Sequence, residues 1–348
     1  MKTLVVQENG RLAVMEVPKP SYGPKQALVK TVACGVCNGT DAKLIHQKFK
    51  GVPLSEYPLM LGHEGVGKVV ETGSEVVGLK KGDYVLLPFV DTDASVYGGL
   101  KSYWGAYSEY AVVNDLAAFP EGEAPEAAYA QTKVPEGVDP VDAAMIVTLR
   151  EVLSSIHRFG MKKGSPVVIF GCGPVGLTFI RFMKLLEIGP VIAFDIIDEK
   201  LADAKMLGAD YVFNSRSEDP VACVRSIFPE GVPFVLDAVG ITDLINLSME
   251  LVCDQGKMCV YGIAPVNSME INWEKAPYNW QLQFQQFPSK VEEGAVNDEI
   301  NALLKEGKIN LKDYISDYYN FADILEAFSK LERREIAKKA MIVYPEEE

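Results

Sequence analysis

The run Gly171-Cys172-Gly173-Pro174-Val175-Gly176 constrains the fold of this chain more than any other segment. Its GxGxxG form is weak evidence alone. Here an apolar, strand-like stretch (166–170) precedes it, and an apolar, helix-like stretch from Pro174 to about Ile188 follows. In that setting Gly171 permits a tight turn, Gly173 lets backbone approach a pyrophosphate, and Gly176 lets the helix pack on the strand. Pro174 and Val175 open the helix, whose first N–H groups face an anion. The next strand-like run ends at Asp195, 19 residues after Gly176. A carboxylate there accepts from both ribose hydroxyls and repels a 2′-phosphate, which predicts NAD rather than NADP. Lys200 is the nearest basic residue downstream and joins the predicted cofactor group. The competing reading is a Gly-rich turn of some other α/β protein that binds nothing.

The texture around this run carries the argument to the fold. From about Gly164, strand-like runs (166–170, 191–194, 234–237, 258–261) alternate with helix-like ones (174–188, 199–207, 241–252). That alternation predicts a parallel sheet covered by helices. The first 150 residues differ: short Val-rich runs at 26–33, 67–71 and 84–88 are broken by Gly and Pro, as in a compact β domain. After about Pro288, two helices are expected, at 296–306 and 321–332, and then a strand at 339–344 that returns to the first domain. The expected division is 1–148 with 288–348, and 149–287. The Ala-, Glu- and Pro-rich stretch 120–129 reads as a surface insertion.

Composition narrows the function. A length of 348 residues accommodates two domains, and 48 % hydrophobic residues supply their cores. A formal charge of -14 argues against nucleic acid or an anionic membrane as partner. The acidic run 121–126 and the tail 345–348 read as solvated. No apolar run reaches the roughly 18 residues that span a bilayer, and the start turns polar too early for a signal peptide. Six Cys then read as thiols of a reducing compartment, and a cytoplasmic location is expected.

The chain has three His, and one of them, His63, lies with Glu64 in a Gly-rich stretch 26 residues after Cys37. Thiolate and imidazole suit Zn²⁺, and a catalytic zinc takes three protein ligands with one position open. The pair Cys34 and Cys37 is alternatively a redox couple or half of a structural zinc site. A structural site would need a second Cys pair, and the next Cys is Cys172; no thioredoxin-like context surrounds the pair.

The segments GVC (35–37), GTD (39–41), GHEGVGKVVETGSEVVGLKKGDYV (62–85), GAYSEYAVV (105–113), KVPEGVDPVDAAM (133–145) and GCGPVG (171–176) occur in one order along nearly the whole chain. In these the chain resembles the zinc-dependent medium-chain dehydrogenase/reductase family, which includes alcohol, sorbitol and threonine dehydrogenases. The resemblance implies an α/β fold, a doubly wound Rossmann domain plus a GroES-like β-rich catalytic domain. It implies Cys37 and His63 as zinc ligands, with Glu64 beside the metal and able to enter its coordination. Thr40 takes the place of the hydroxyl that passes on the substrate proton, and Asp41 that of the acceptor orienting the His ligand. Cys34 is expected in the core.

The remaining ligand stays open. Alcohol dehydrogenases use Cys there, and polyol and threonine dehydrogenases use Glu. With no Cys between Cys37 and Cys172, Glu151 is the expected ligand, against its reading as a helix-surface charge. Asn38-Gly39 puts two residues where the family has one, so the loop must bulge. Lys43 stands where a relay His is often found; His46, three further on, is the candidate relay, against its reading as an exposed His. The Cys-rich lobe of many relatives is missing. The stretch 88–107 offers Asp91, Asp93, Tyr97, Gly98 and Gly99 instead, so one catalytic zinc per subunit and no structural zinc are expected.

A Glu ligand and one zinc point toward the polyol branch: a secondary alcohol of a small polar molecule such as a polyol, a polyol phosphate or a hydroxy amino acid, oxidised with NAD. Rival readings are a zinc-free reductase of activated double bonds on the same fold, and a non-catalytic nucleotide-binding relative. The family resemblance also implies a homodimer or homotetramer.

Overall fold

The computed structural model describes residues 1–90, 96–264 and 266–345. Asp91, Asp93 and the acidic end of the tail, Glu346 to Glu348, lie outside them. The chain divides into two compact units, Met1–Arg150 with Ser289–Glu348, and Glu151–Pro288.

The first unit is built around the strand Gln26–Gly35, ten residues rich in Val and Ala and buried along most of its length. Its sheet runs in the order Ile315–Asn320, Lys339–Val343, Gln26–Gly35, Glu64–Thr72, Tyr84–Leu86, with Tyr110–Asn114 also paired to the long strand. A second sheet orders Leu12–Glu16, Lys2–Val6, Leu59–Met60 and Lys101–Ser102. The register is what matters for chemistry. Gln26–Gly35 and Glu64–Thr72 are antiparallel, with Gly35 opposite Glu64 and Cys34 opposite Gly65. The segment after Gly35 and the segment before Glu64 are therefore neighbours. Lys339–Val343 pairs antiparallel with the same strand, Met341 opposite Gly35. Continuing that register places position 339 across from position 37.

The second unit is a six-stranded parallel sheet in the order Tyr211–Asn214, Val191–Asp195, Val167–Phe170, Val232–Asp237, Val252–Val260, Trp280–Phe284. The order reverses between Val167–Phe170 and Val232–Asp237, the switch point where doubly wound sheets bind ligands. Helices Pro174–Leu185, Asp198–Leu207, Pro220–Ile227 and Thr242–Met249 connect the strands. The chain thus combines a Rossmann unit with a GroES-like β unit.

Several elements differ from expectation. The helices 174–188 and 241–252 are shorter, ending at Leu185 and Met249. Among the described residues after Pro288 there are three α-helices in place of two, the additional one being Lys290–Ala295 with a full capping box at Ser289 and Glu292. The stretch 120–129 is a surface segment only as far as Glu126. Beyond it a single 3₁₀ turn, Glu126–Tyr129, buries Ala128 and packs on Lys290–Ala295, where Gly294 leaves no room for a Cβ against the Tyr129 carbonyl. Among the described residues no helix is long and apolar enough to cross a membrane.

Candidate metal centre and dinucleotide turn

Among the described residues, the group able to hold a metal ion is Cys37, His63 and Glu64, whose ligand atoms lie within 4.8 Å of one another. The strand register brings them together. Gly35 makes the approach possible, because a Cβ there would collide with the Glu64 carboxylate. Two residues on, the Asn38-Gly39 bulge closes with Asp41 N–H donating to Cys37 O at 3.0 Å and starts the short helix Thr40–Ile45. The Thr40 N–H donates toward the Cys37 sulfur. Thr40 and Asp41 are buried at the head of that helix, and His46 sits exposed at its far end.

Behind His63 stands Asp41. His63 Nδ1 and Asp41 Oδ1 face each other at 3.6 Å, and neither has a hydrogen-bond partner. Asp41 Oδ2 is fixed from two sides, accepting from Cys37 N–H at 3.1 Å and Tyr107 Oη at 2.7 Å. Behind Glu64 stands Lys339, buried, whose Nζ donates to Glu64 Oε1 at 2.6 Å and also to Oε2. The Trp104 ring leans on His63 with centroids 5.2 Å apart.

The electrostatics follow from burial. Burial pushes the Cys37 thiol up to about 12, and the neighbouring Glu64 charge adds to the push. Burial likewise raises the Asp41 carboxyl, with His63 and Tyr107 opposing. Glu64 differs: burial pushes it up, but Lys339 and His63 pull harder, and it falls below the ordinary carboxylate range. One buried ammonium thus acts on the Cys37 thiol and the Glu64 carboxyl, while Asp41 stands behind His63. A divalent cation fits this donor set. It would stabilise the Cys37 thiolate, and Asp41 Oδ1 is placed to take the N–H of a metal-bound imidazole.

In the second unit the Gly-rich turn is built as its chemistry requires. Gly171 has φ +95°, and a Cβ on Gly176 would collide with the Gly171 carbonyl. Gly173, capping the helix that Pro174 and Val175 begin, has open space where its Cβ would be. Asp195 ends its strand and ties the turn down, accepting from Cys172 N–H at 2.7 Å and Ile196 N–H at 2.7 Å. Lys200 lies half-buried on the next helix. The open backbone at Gly173, a helix N-terminus and a strand-end carboxylate fit a dinucleotide.

Glu151 belongs to this second unit, where its carboxylate accepts from Tyr261 Oη at 3.3 Å. Cys34 is fully buried in the core. Tyr97 is buried, and Gly98 and Gly99 form a turn of positive φ. Three residues at the metal group do not stand out in the sequence: Lys339, Tyr107 and Trp104. Tyr107 lies within the GAYSEYAVV segment and Trp104 directly before it, which is the one signal that points to them.

Comparison with known proteins follows the same lines. Residues 23–121 match the alcohol dehydrogenase GroES-like domain family, and residues 174–287 the zinc-binding dehydrogenase family. An uncharacterised zinc-type alcohol dehydrogenase-like protein, AdhB of Bacillus subtilis, is 30% identical over 290 residues, 76% of this chain and 75% of that protein. An alcohol dehydrogenase of Geobacillus stearothermophilus is 34% identical over 242 residues, 65% of this chain and 66% of that enzyme's length. The solved alcohol dehydrogenase of Thermus sp. ATN1 is similar over 99% of this chain and 100% of its own, with a TM-score of 0.77 and 25% identity.

Proposed function

The chain belongs to the family of zinc-containing alcohol dehydrogenases, and from that premise we propose that it transfers a hydride between NAD and a secondary alcohol of a small polar substrate, such as a polyol, a polyol phosphate or a hydroxy amino acid. The observation that carries the proposal is the group of half-buried Cys37 with buried His63 and Glu64, with Asp41 behind the imidazole and Lys339 behind the carboxylate. Cys37 and His63 hold one zinc ion per chain; Glu151 is the further ligand, and Glu64 stands beside the ion.

When bound, zinc supplies a Lewis acid for the substrate hydroxyl, and NAD supplies the hydride acceptor. The chain's own residues do the rest. Asp41 keeps His63 in the tautomer with Nδ1 protonated, leaving Nε2 as ligand. Thr40 receives the proton lost by the substrate hydroxyl and relays it toward His46 and solvent. Gly171, Gly173, Pro174, Val175 and Gly176 cradle the pyrophosphate, Asp195 accepts from the ribose hydroxyls and favours NAD, and Lys200 borders the adenosine side. A carboxylate among the ligand candidates, in place of a second thiolate, supports a polar substrate, as does half-buried Lys43 on the helix that carries Thr40.

The test combines metal analysis with kinetics. Wild-type protein is expected to carry one zinc and to form NADH from at least one member of a panel of polyols, their phosphates and threonine. Cys37→Ser and His63→Ala should lose the zinc and at least a thousandfold in kcat, while NADH binding, read by its fluorescence, stays within about threefold. Turnover that survives both substitutions would overturn the zinc assignment.

A further inference from the structure

We propose that Trp104 is the residue that selects the substrate, and that it does so by receiving a flat, apolar substituent carried on the carbinol carbon. The inference rests on the alcohol dehydrogenase reading and narrows it: one arm of the substrate is apolar, whatever polarity the other has.

The first observation is a backbone outlier. Trp104 has φ +67°, a region that a bulky side chain adopts only when its surroundings impose it. Here they do. Tyr103 N–H donates to Met60 O at 2.9 Å, Val90 N–H donates to Trp104 O at 2.8 Å, and Ala106 N–H donates to Gly62 O at 2.9 Å. Gly105, with φ +71°, has no room for a Cβ between Ser102 and Val90. The segment 103–106 is thus pinned to the strand end that leads into His63, and the strained position carries the largest side chain in the loop.

The second observation is where that side chain lies. Trp104 is only partly buried, and its ring meets His63 at 5.2 Å with planes tilted by 52°. Tyr103 meets Trp104 edge-on at 5.4 Å, and Phe49 meets Tyr103 edge-on at 6.1 Å. Three half-buried aromatic rings, Trp104, Tyr103 and Phe49, therefore follow one another from the His63 imidazole along the edge of the core. Glycine would satisfy the turn without strain, and Asn at little cost. An indole kept there, still partly open, offers an apolar face at the position where the non-reacting part of a substrate must rest.

Two probes isolate that face: 1-phenylethane-1,2-diol and propane-1,2-diol, which share the secondary hydroxyl and the polar arm and differ in phenyl against methyl. Wild-type enzyme with NAD should give a kcat/KM at least about tenfold higher for the phenyl diol, chiefly through KM. Trp104→Asn, which suits the positive φ, should bring the ratio to about one while zinc content and NADH affinity stay unchanged; Trp104→Phe should keep most of it. A ratio that persists in a folded Trp104→Asn protein overturns the proposal, as does a wild-type enzyme that favours propane-1,2-diol. The second outcome leaves the dehydrogenase reading standing. A wild-type protein that oxidises neither diol nor any polyol, polyol phosphate or threonine overturns both. Should Trp104→Asn fail to fold, Trp104→Gly, which the positive φ also admits, takes its place with the same two outcomes: loss of the preference supports the proposal and its retention overturns it.

Discussion

Lys339 and Glu64 are 275 positions apart, and each is almost wholly buried. Neither charge would survive there alone. Taking a carboxylate out of water costs several kcal/mol, and a close ammonium offsets much of it. Lys339→Met should therefore destabilise the metal-free protein by about 3–5 kcal/mol, the usual range for stranding one member of a buried pair. The loss should shrink when zinc is present, since the ion supplies positive charge to the same cluster. Urea unfolding with and without zinc reads both numbers; equal losses in the two states would show that Glu64 does not sense the metal. Lys339 was not legible in sequence for a plain reason. It opens a strand whose own pattern, Lys339-Ala-Met-Ile-Val, announces a strand and nothing else. Cys37 and His63 were legible as candidates because each carries its chemistry in a local motif. Trp104 was not, because an indole in a loop is silent until its φ and its neighbour are known.

At the scale of elements, strand register decides which motifs meet. The Gly35–Glu64 pairing could not be read from either segment, since it depends on the bulges between Leu28 and Val29 and between Thr31 and Ala33. The helix Met145–Phe159 offers a second example. Arg150, in its middle, has no exposed surface. Its guanidinium donates to Ala130 O at 2.7 Å and to Thr132 Oγ1 and Asn297 Oδ1, and Glu293 lies near enough to hold its charge. Burial lowers Arg150 to about 10, so it stays protonated at neutral pH. This one side chain thus ties together the turn after Glu126–Tyr129, the helix Lys290–Ala295 and the helix Asn297–Lys305. The helix Lys290–Ala295 is not legible in sequence because its six residues are too few for a periodic pattern. Arg150→Met would leave the buried Ala130 carbonyl without this donor and take the guanidinium from the Thr132–Asn297 pair, while Glu293 would keep Lys290 at 2.5 Å, and should cost about 3–5 kcal/mol. Arg150→Lys should recover less than half of that, because an ammonium cannot reproduce the planar fork. Thermal unfolding of the two variants checks the order; a Lys variant as stable as wild type would mean that charge alone matters at this position.

For the whole molecule, the parallel sheet was legible because strand and helix periods alternate in sequence; the point where its strand order reverses is known only from the structure. What was not legible is the cost the second unit carries at that point. Asp237 ends the strand next to Val167–Phe170. Its Oδ1 accepts from Val239 N–H at 2.8 Å and Gly240 N–H at 3.0 Å, while Oδ2 is buried with no partner. Burial lifts its carboxyl from 3.8 to about 6, against the pull of those two N–H groups. The folded state therefore binds the Asp237 proton more tightly than the unfolded chain does. Stability from this group is at its highest below about pH 3.8, falls as pH rises toward 6, and is lowest above. Each pH unit between those two values removes about 1.4 kcal/mol, so the whole fall is about 3 kcal/mol. Asp237→Asn keeps an acceptor for Val239 and Gly240 and removes the charge. It should stabilise the protein by about 2–3 kcal/mol at about pH 7.5 and have almost no effect near pH 4. Unfolding in urea, followed by Trp273 and Trp280 fluorescence in a Trp104→Phe background, reports on the second unit alone. A gain at neutral pH that persists unchanged in acid would mean that the substitution acts through packing and not through the buried charge.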